Sequence, residues 1–210
     1  MSNTMDILAL AGFGWVKPWS SARDQDDGKR GCFQAHIAAV AQAASVTDCE
    51  CVWLFEDDVA FSRPISEREQ LEIEAIAAQY STLVAVGGMA ISCLSPLAGS
   101  VYRGRWNYTH AYVVPRALMA QMGALRYTGE HYDRVLSRSL PQSLIHPGIA
   151  YQRPASLSTT SDSCIYHTLT SVRNAVGAWN IQAILGWFWL AVAWVAHLLG
   201  SCKGSKVAIS

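Results

Sequence analysis

Residues 51–61 read Cys51-Val52-Trp53-Leu54-Phe55-Glu56-Asp57-Asp58-Val59-Ala60-Phe61. Four consecutive apolar residues, Val52 to Phe55, predict a buried central strand with both faces covered. The strand runs into three acidic side chains, Glu56, Asp57 and Asp58, before the chain turns apolar again. Three carboxylates at the end of a buried strand repel one another and lose solvation, so they call for a compensating cation. Hard oxygen ligands in this number suit Mg²⁺ or Mn²⁺, which commonly bridge one or two carboxylates to substrate phosphates. An ordinary solvated loop after a strand would carry the same residue types.

The chain of 210 residues is long enough to bury a substantial core. Lysine plus arginine number 16, as do aspartate plus glutamate, so no broad basic field points to nucleic acid. An anionic ligand must be held locally, by a metal, a helix N-terminus or a few arginines. The opening Met1-Ser2-Asn3-Thr4-Met5-Asp6 lacks the features of a signal peptide, and the six cysteines read as reduced thiols. Cys32, His36, Cys49 and Cys51 do not have the two-residue cysteine spacing of a zinc knuckle, which argues against a structural zinc.

Asp6–Ala11 predicts a short first strand. Gly12-Phe13-Gly14 follows, but Lys17 replaces the third glycine of a dinucleotide fingerprint and Pro18 obstructs helix entry. A polar loop over 18–31 leads into a helix in which Phe33, Ile37, Val40, Ala41 and Ala44 recur at helical spacing. Ser66 and Glu69 form a capping box before a second helix with Ile73, Ile76, Ala77 and Tyr80 inside. Thr82–Val86 reads as a strand closed by Gly87-Gly88, and Thr109–Val114 as another. Pro115 opens a helix that Gly123 ends. A polar turn, 127–133, leads into a short helix through Val135 and Leu136. Ser143–Ile145 and Ile149–Tyr151 read as short strands. Interleaved helices and strands predict an α/β domain with a mixed sheet flanked by helices.

Residues 1–170 would form this domain, and 171–210 a hydrophobic tail. Ile181–Gly200 has only Gln182 and His197 as conspicuously polar side chains; as a helix it would extend about 30 Å, the thickness of a bilayer core. The expectation is a hydrophobic C-terminal helix in contact with a membrane, and the alternative is a packed core or dimer helix.

Taken together, these residues resemble the family 25 glycosyltransferases, the lipopolysaccharide-type galactosyltransferase group. The resemblance is carried by Gly31-Cys32-Phe33-Gln34-Ala35-His36, by Leu54-Phe55-Glu56-Asp57-Asp58-Val59, by Leu83–Gly88, by Thr109–Val114, by His131-Tyr132-Asp133 and by Gln152 through Ser163. It covers roughly Gly31 to Ser163. Ala35 stands where the family usually carries serine, and the family's arginine-rich segment is missing or shortened. Arg23, Lys29 and Arg30 remain as local cations.

The resemblance implies a GT-A fold, Mn²⁺ or Mg²⁺, and transfer from a nucleotide-sugar donor to a glycan or lipid-linked acceptor, with inversion. Glu56 and Asp58 would be the acid-x-acid metal ligands, with His146 or His110 as a third partner. Asp57, His110 and Tyr112 would contact substrate. Asp133 would take the acceptor proton, with Glu130 behind it. His36 reads as a core histidine. A nucleotide-sugar pool places the domain on the cytoplasmic face of a membrane. Two alternatives stay open: an inactive GT-A-like binding or scaffold protein at a membrane, and a metal-dependent phosphohydrolase.

Overall fold

The computed structural model describes residues 2–22, 24–46, 48–92 and 94–153. The expected C-terminal helix and its membrane contact lie outside them. Among the described residues no helix is long and apolar enough to cross a membrane.

The chain opens on a helix, α1 (Ser2–Leu10), where a strand was expected. The apolar run Ile7-Leu8-Ala9-Leu10 fits either state, and such runs cannot be separated by periodicity. Packing decides it. Met5 and Leu8, one turn apart, join Ala11 and Phe13 in a core cluster, while Leu10 points outward at 79% exposure. The second helix, α2 (Gly28–Val46), starts before Phe33 because Asp27 caps it, its Oδ1 accepting the amides of Lys29 and Arg30.

Strand β1 (Cys51–Phe55) has apolar neighbours on both faces, as expected, but it is an edge strand, not a central one. A short β2 (Val59–Phe61) follows, then α3 (Glu67–Tyr80) behind its Ser66–Glu69 capping box. Strand β3 (Leu83–Ala90) continues through Gly87 and Gly88 instead of stopping there. The stretch 95–103 forms a hairpin, β4 (Ser95–Ala98) and β5 (Val101–Arg103). After it come β6 (Trp106–Pro115), α4 (Arg116–Gly123), α5 (Tyr132–Ser139), β7 (Gln142–Ile145) and β8 (Ala150–Gln152).

Six strands form one sheet in the order β1-β6-β3-β7-β5-β4, and β2 pairs with β8 in a second. Only β3 and β7 run parallel; the other neighbours are antiparallel. The centre is β6 and β3, and their side chains alternate between two cores. Leu83, Ala85, Tyr112 and Val114 pack with α2, α4 and α5 on one face. Val84, Val86, Ala111 and Val113 pack with α1 and α3 on the other. The architecture is thus mixed α/β, a helix-flanked sheet as expected.

Gly87 joins the two sheets. A Cβ there would sit 1.9 Å from the Ala150 carbonyl oxygen, so only glycine lets β8 lie this close to β3. The register against β6 shifts on either side of Gly87, and the glycines are absorbed as irregularities within the strand.

Candidate metal centre

The three acids leave β1 in a tight turn. The Glu56 amide donates to the His110 carbonyl at 3.0 Å, extending the β1–β6 ladder by one residue. The Val59 amide donates back to the Glu56 carbonyl at 3.1 Å, closing the turn over Asp57 and Asp58. Asp57 is exposed at the tip and its carbonyl accepts from Thr4 and Arg153. Glu56 and Asp58 return to the inner side, where both are partly buried.

Glu56 is enclosed by donors. Thr109 Oγ1 donates to Oε1 at 2.5 Å, His110 Nδ1 lies 3.1 Å from Oε2, and His36 Nε2 lies 3.5 Å from Oε1. Strand alternation would send Thr109 and His110 to opposite faces. Both reach Glu56 where β6 is irregular, with Tyr108 at a left-handed φ of 72°. Burial pushes the Glu56 carboxyl up, but the hydrogen bonds and charges of His110 and His36 outweigh it and hold the carboxyl well below its usual range. His36 responds in the opposite sense. Burial opposes its charge, yet Cys32 and Glu56 raise it to about 9.

Asp58 has fewer partners. Gln152, opposite Val59 in the β2–β8 pair, donates to Oδ2 at 2.6 Å, while Oδ1 is buried without a hydrogen bond. Burial, and then the charge of Glu56, raise the Asp58 carboxyl above its usual value. One ligand atom each from Glu56, Asp58 and His110 lies within 4.8 Å of the others. Two carboxylates and an imidazole suit a divalent ion, and the orphaned Asp58 oxygen is the kind of group a cation would satisfy. These residues fit the metal that the sequence implied.

His110, expected to touch substrate or to be a third metal partner, is buried beside Glu56 as part of this group. His146, expected as a metal ligand, belongs to no such group among the described residues; it packs edge-on against Tyr102, with ring centroids 6.1 Å apart. Tyr112, expected to touch substrate, is fully buried. Its hydroxyl instead bonds His36 Nδ1 and the Tyr132 hydroxyl, both at 2.9 Å. Burial raises both phenols, so they remain protonated hydrogen-bonding groups.

Asp133, expected as the general base, spends both oxygens on backbone amides. Oδ2 accepts from Tyr108 at 3.1 Å and Oδ1 from Arg134 at 2.8 Å. Glu130 pairs with Arg138 at 2.7 Å. Neither carboxylate belongs to the Glu56 groups. Arg30, a local candidate for the donor, forms a double hydrogen bond to Asp24.

The sequence does not single out Thr109 or Gln152, and it sets Cys32 and His36 aside as zinc ligands because of the spacing of Cys49 and Cys51. Thr109 and Gln152 lie 53 and 94 positions from their carboxylate partners, and only strand pairing brings them there. Cys32 and His36 did have a local signal, their four-residue spacing on one helix face.

No family model matches the chain, and no curated protein does. Among solved structures, a UDP-glucose pyrophosphorylase complexed with UDP-glucose is similar over 83% of this chain and 73% of its own, at 10% identity and a TM-score of 0.43. A likeness that distant carries no weight for chemistry. The family 25 resemblance stands on the quoted motifs alone.

Proposed function

We propose that this chain is a divalent-metal-dependent glycosyltransferase of GT-A type, moving a sugar from a nucleotide-sugar donor to a glycan or lipid-linked acceptor. The observation that carries the reading is the Glu56–Asp58 turn, with two inward carboxylates, a buried imidazole and an orphaned Asp58 oxygen. Glu56, Asp58 and His110 would hold Mn²⁺ or Mg²⁺, which would neutralise charge on the departing nucleoside diphosphate. Thr109 orients the Glu56 carboxylate, and Gln152 orients that of Asp58. Asp57, exposed at the turn tip, is placed for the polar edge of a donor.

A second reading, a catalytically silent nucleotide-sugar binder, is favoured by one feature. Glu56 is already matched by three protein donors, and Asp133 and Glu130 are engaged with backbone amides and with Arg138.

A screen of nucleotide-sugar donors with Mn²⁺, with and without acceptor glycans, separates the readings. Metal-dependent turnover lost in Asp58→Asn is the expected result. Donor binding without turnover selects the silent binder, and absence of any donor binding overturns both. The proposal extends to the tail: a chain truncated at Arg173 would leave the membrane fraction while keeping its activity on a soluble acceptor.

A further inference from the structure

Cys32 and His36 project from the same face of α2, one turn apart. Cys32 Sγ, a His36 ring nitrogen and a Glu56 carboxylate oxygen all lie within 4.8 Å of one another. Glu56 is divided between two neighbourhoods. Its Oε1 faces His36 Nε2 at 3.5 Å, and its Oε2 faces His110 Nδ1 at 3.1 Å.

We propose that Cys32, His36 and Glu56 form a second cation site, selective for zinc, with Glu56 shared between it and the harder site at Asp58 and His110. The ligand chemistry selects the metal. Thiolate, imidazole and carboxylate together suit Zn²⁺, whereas Mg²⁺ and Mn²⁺ prefer oxygen. Three protein ligands leave a fourth tetrahedral position to solvent, and all three residues are only partly buried.

The surroundings of His36 support the assignment independently. Its Nδ1 is bonded to the Tyr112 hydroxyl, which is bonded to Tyr132, and the His36 ring stacks on Tyr132 with centroids 4.3 Å apart. This is the outer bracing that fixes ring orientation in histidine metal sites. In the metal-free chain a ring proton on Nε2 faces the Glu56 carboxylate. A cation between the ring and the carboxylate would take that proton's place. Zinc binding would break the Cys32 S–H and His36 Nε2–H bonds, form Zn–S and Zn–N, and release both protons to solvent. Cys49 and Cys51 take no part; Cys51 donates to the Glu74 carbonyl and packs in the other core.

The test uses the full chain, with Co²⁺ as the spectroscopic probe for zinc. One equivalent should produce a thiolate-to-cobalt charge-transfer band that Zn²⁺ displaces. Cys32→Ser and His36→Gln should each remove the band and weaken Zn²⁺ binding by about 100-fold or more, since even outer-sphere losses cost about 10–100-fold. Tyr112→Phe should keep the band and weaken binding by about 10-fold. Asp58→Asn should keep both the band and the affinity. Circular dichroism confirms that each variant is folded, and Cys32→Ser and Tyr112→Phe are conservative enough to serve if His36→Gln is not. No band in the native chain, or a band that survives Cys32→Ser, overturns the site. Loss of the band in Asp58→Asn overturns its separateness. The site rests on Glu56 but not on glycosyl transfer: an inactive chain would leave these spectra unchanged, and a missing band would leave Mn²⁺-dependent turnover unaffected.

Discussion

Asp133 holds Tyr108 in place from 25 residues away: its Oδ2 accepts the Tyr108 amide at 3.1 Å, with Tyr108 at a φ of 72°. A tyrosine in the left-handed region is strained by about 1 kcal/mol or more. The Tyr108 ring lies parallel to that of His110, with centroids 5.6 Å apart, so the contact extends towards the Glu56 carboxylate.

Asp133→Ala should therefore lower stability by about 1–2 kcal/mol, through loss of the acceptor for a constrained amide. Asp133→Asn should cost less, because its carbamoyl oxygen still accepts one amide. Urea unfolding of both variants checks this. An Asn variant as unstable as the Ala variant would show that the charge, not the acceptor, matters.

The Glu56–His36 pair predicts a window of pH in which it contributes most. Glu56 is held below its ordinary 4.5, so its contribution is complete above that pH and lost as pH falls through the lowered folded value. His36 is raised from 6.5 to about 9, so its contribution is complete below pH 6.5 and lost as pH rises through 9. Their joint contribution is greatest between pH 4.5 and 6.5. In chelator, urea midpoints should fall between about pH 6 and pH 10, and Glu56→Gln should flatten that slope.

Asp58 has the opposite sign. A carboxyl raised in the folded state destabilises once ionised, so Asp58→Asn should raise metal-free stability at neutral pH by up to about 1 kcal/mol. Mn²⁺ should then raise the melting temperature of the native chain and not that of the variant. Equal Mn²⁺ stabilisation of both would remove Asp58 from the metal site.

Two glycines should respond in opposite directions. Gly87→Ala places a Cβ against the Ala150 carbonyl, and the expected loss is about 3 kcal/mol or more. Gly123→Ala, at the last residue of α4, meets nothing within 4 Å and should stabilise by up to about 1 kcal/mol. Thermal melts of the pair test the close approach of the two sheets.

Local patterns were enough for most elements. The Ser66–Glu69 box, Pro115 before α4 and the apolar periodicity of α2 act within a few residues, where capping and side-chain spacing operate. The acidic turn was also legible, because three carboxylates after an apolar strand are conspicuous in any context. The state of Ile7–Leu10 was not: four apolar residues satisfy a strand or a helix, and burial of Met5 and Leu8 against a core chose the helix. Sheet order was likewise out of reach, so a strand covered on both faces was expected at the centre and lies at the edge.

Residue order alone specifies which side chains carry charge at the end of β1, and that one helix face presents Cys32 and His36 together. What those groups meet is set by strand pairing. The β1–β6 pairing brings Thr109 and His110 to Glu56, and the β2–β8 pairing brings Gln152 to Asp58. The same folding sets two backbone amides, those of Tyr108 and Arg134, against the Asp133 carboxylate. A carboxylate's chemistry depends on the donors and charges within a few ångströms of it, and most of these partners lie 50 or more residues away along the chain.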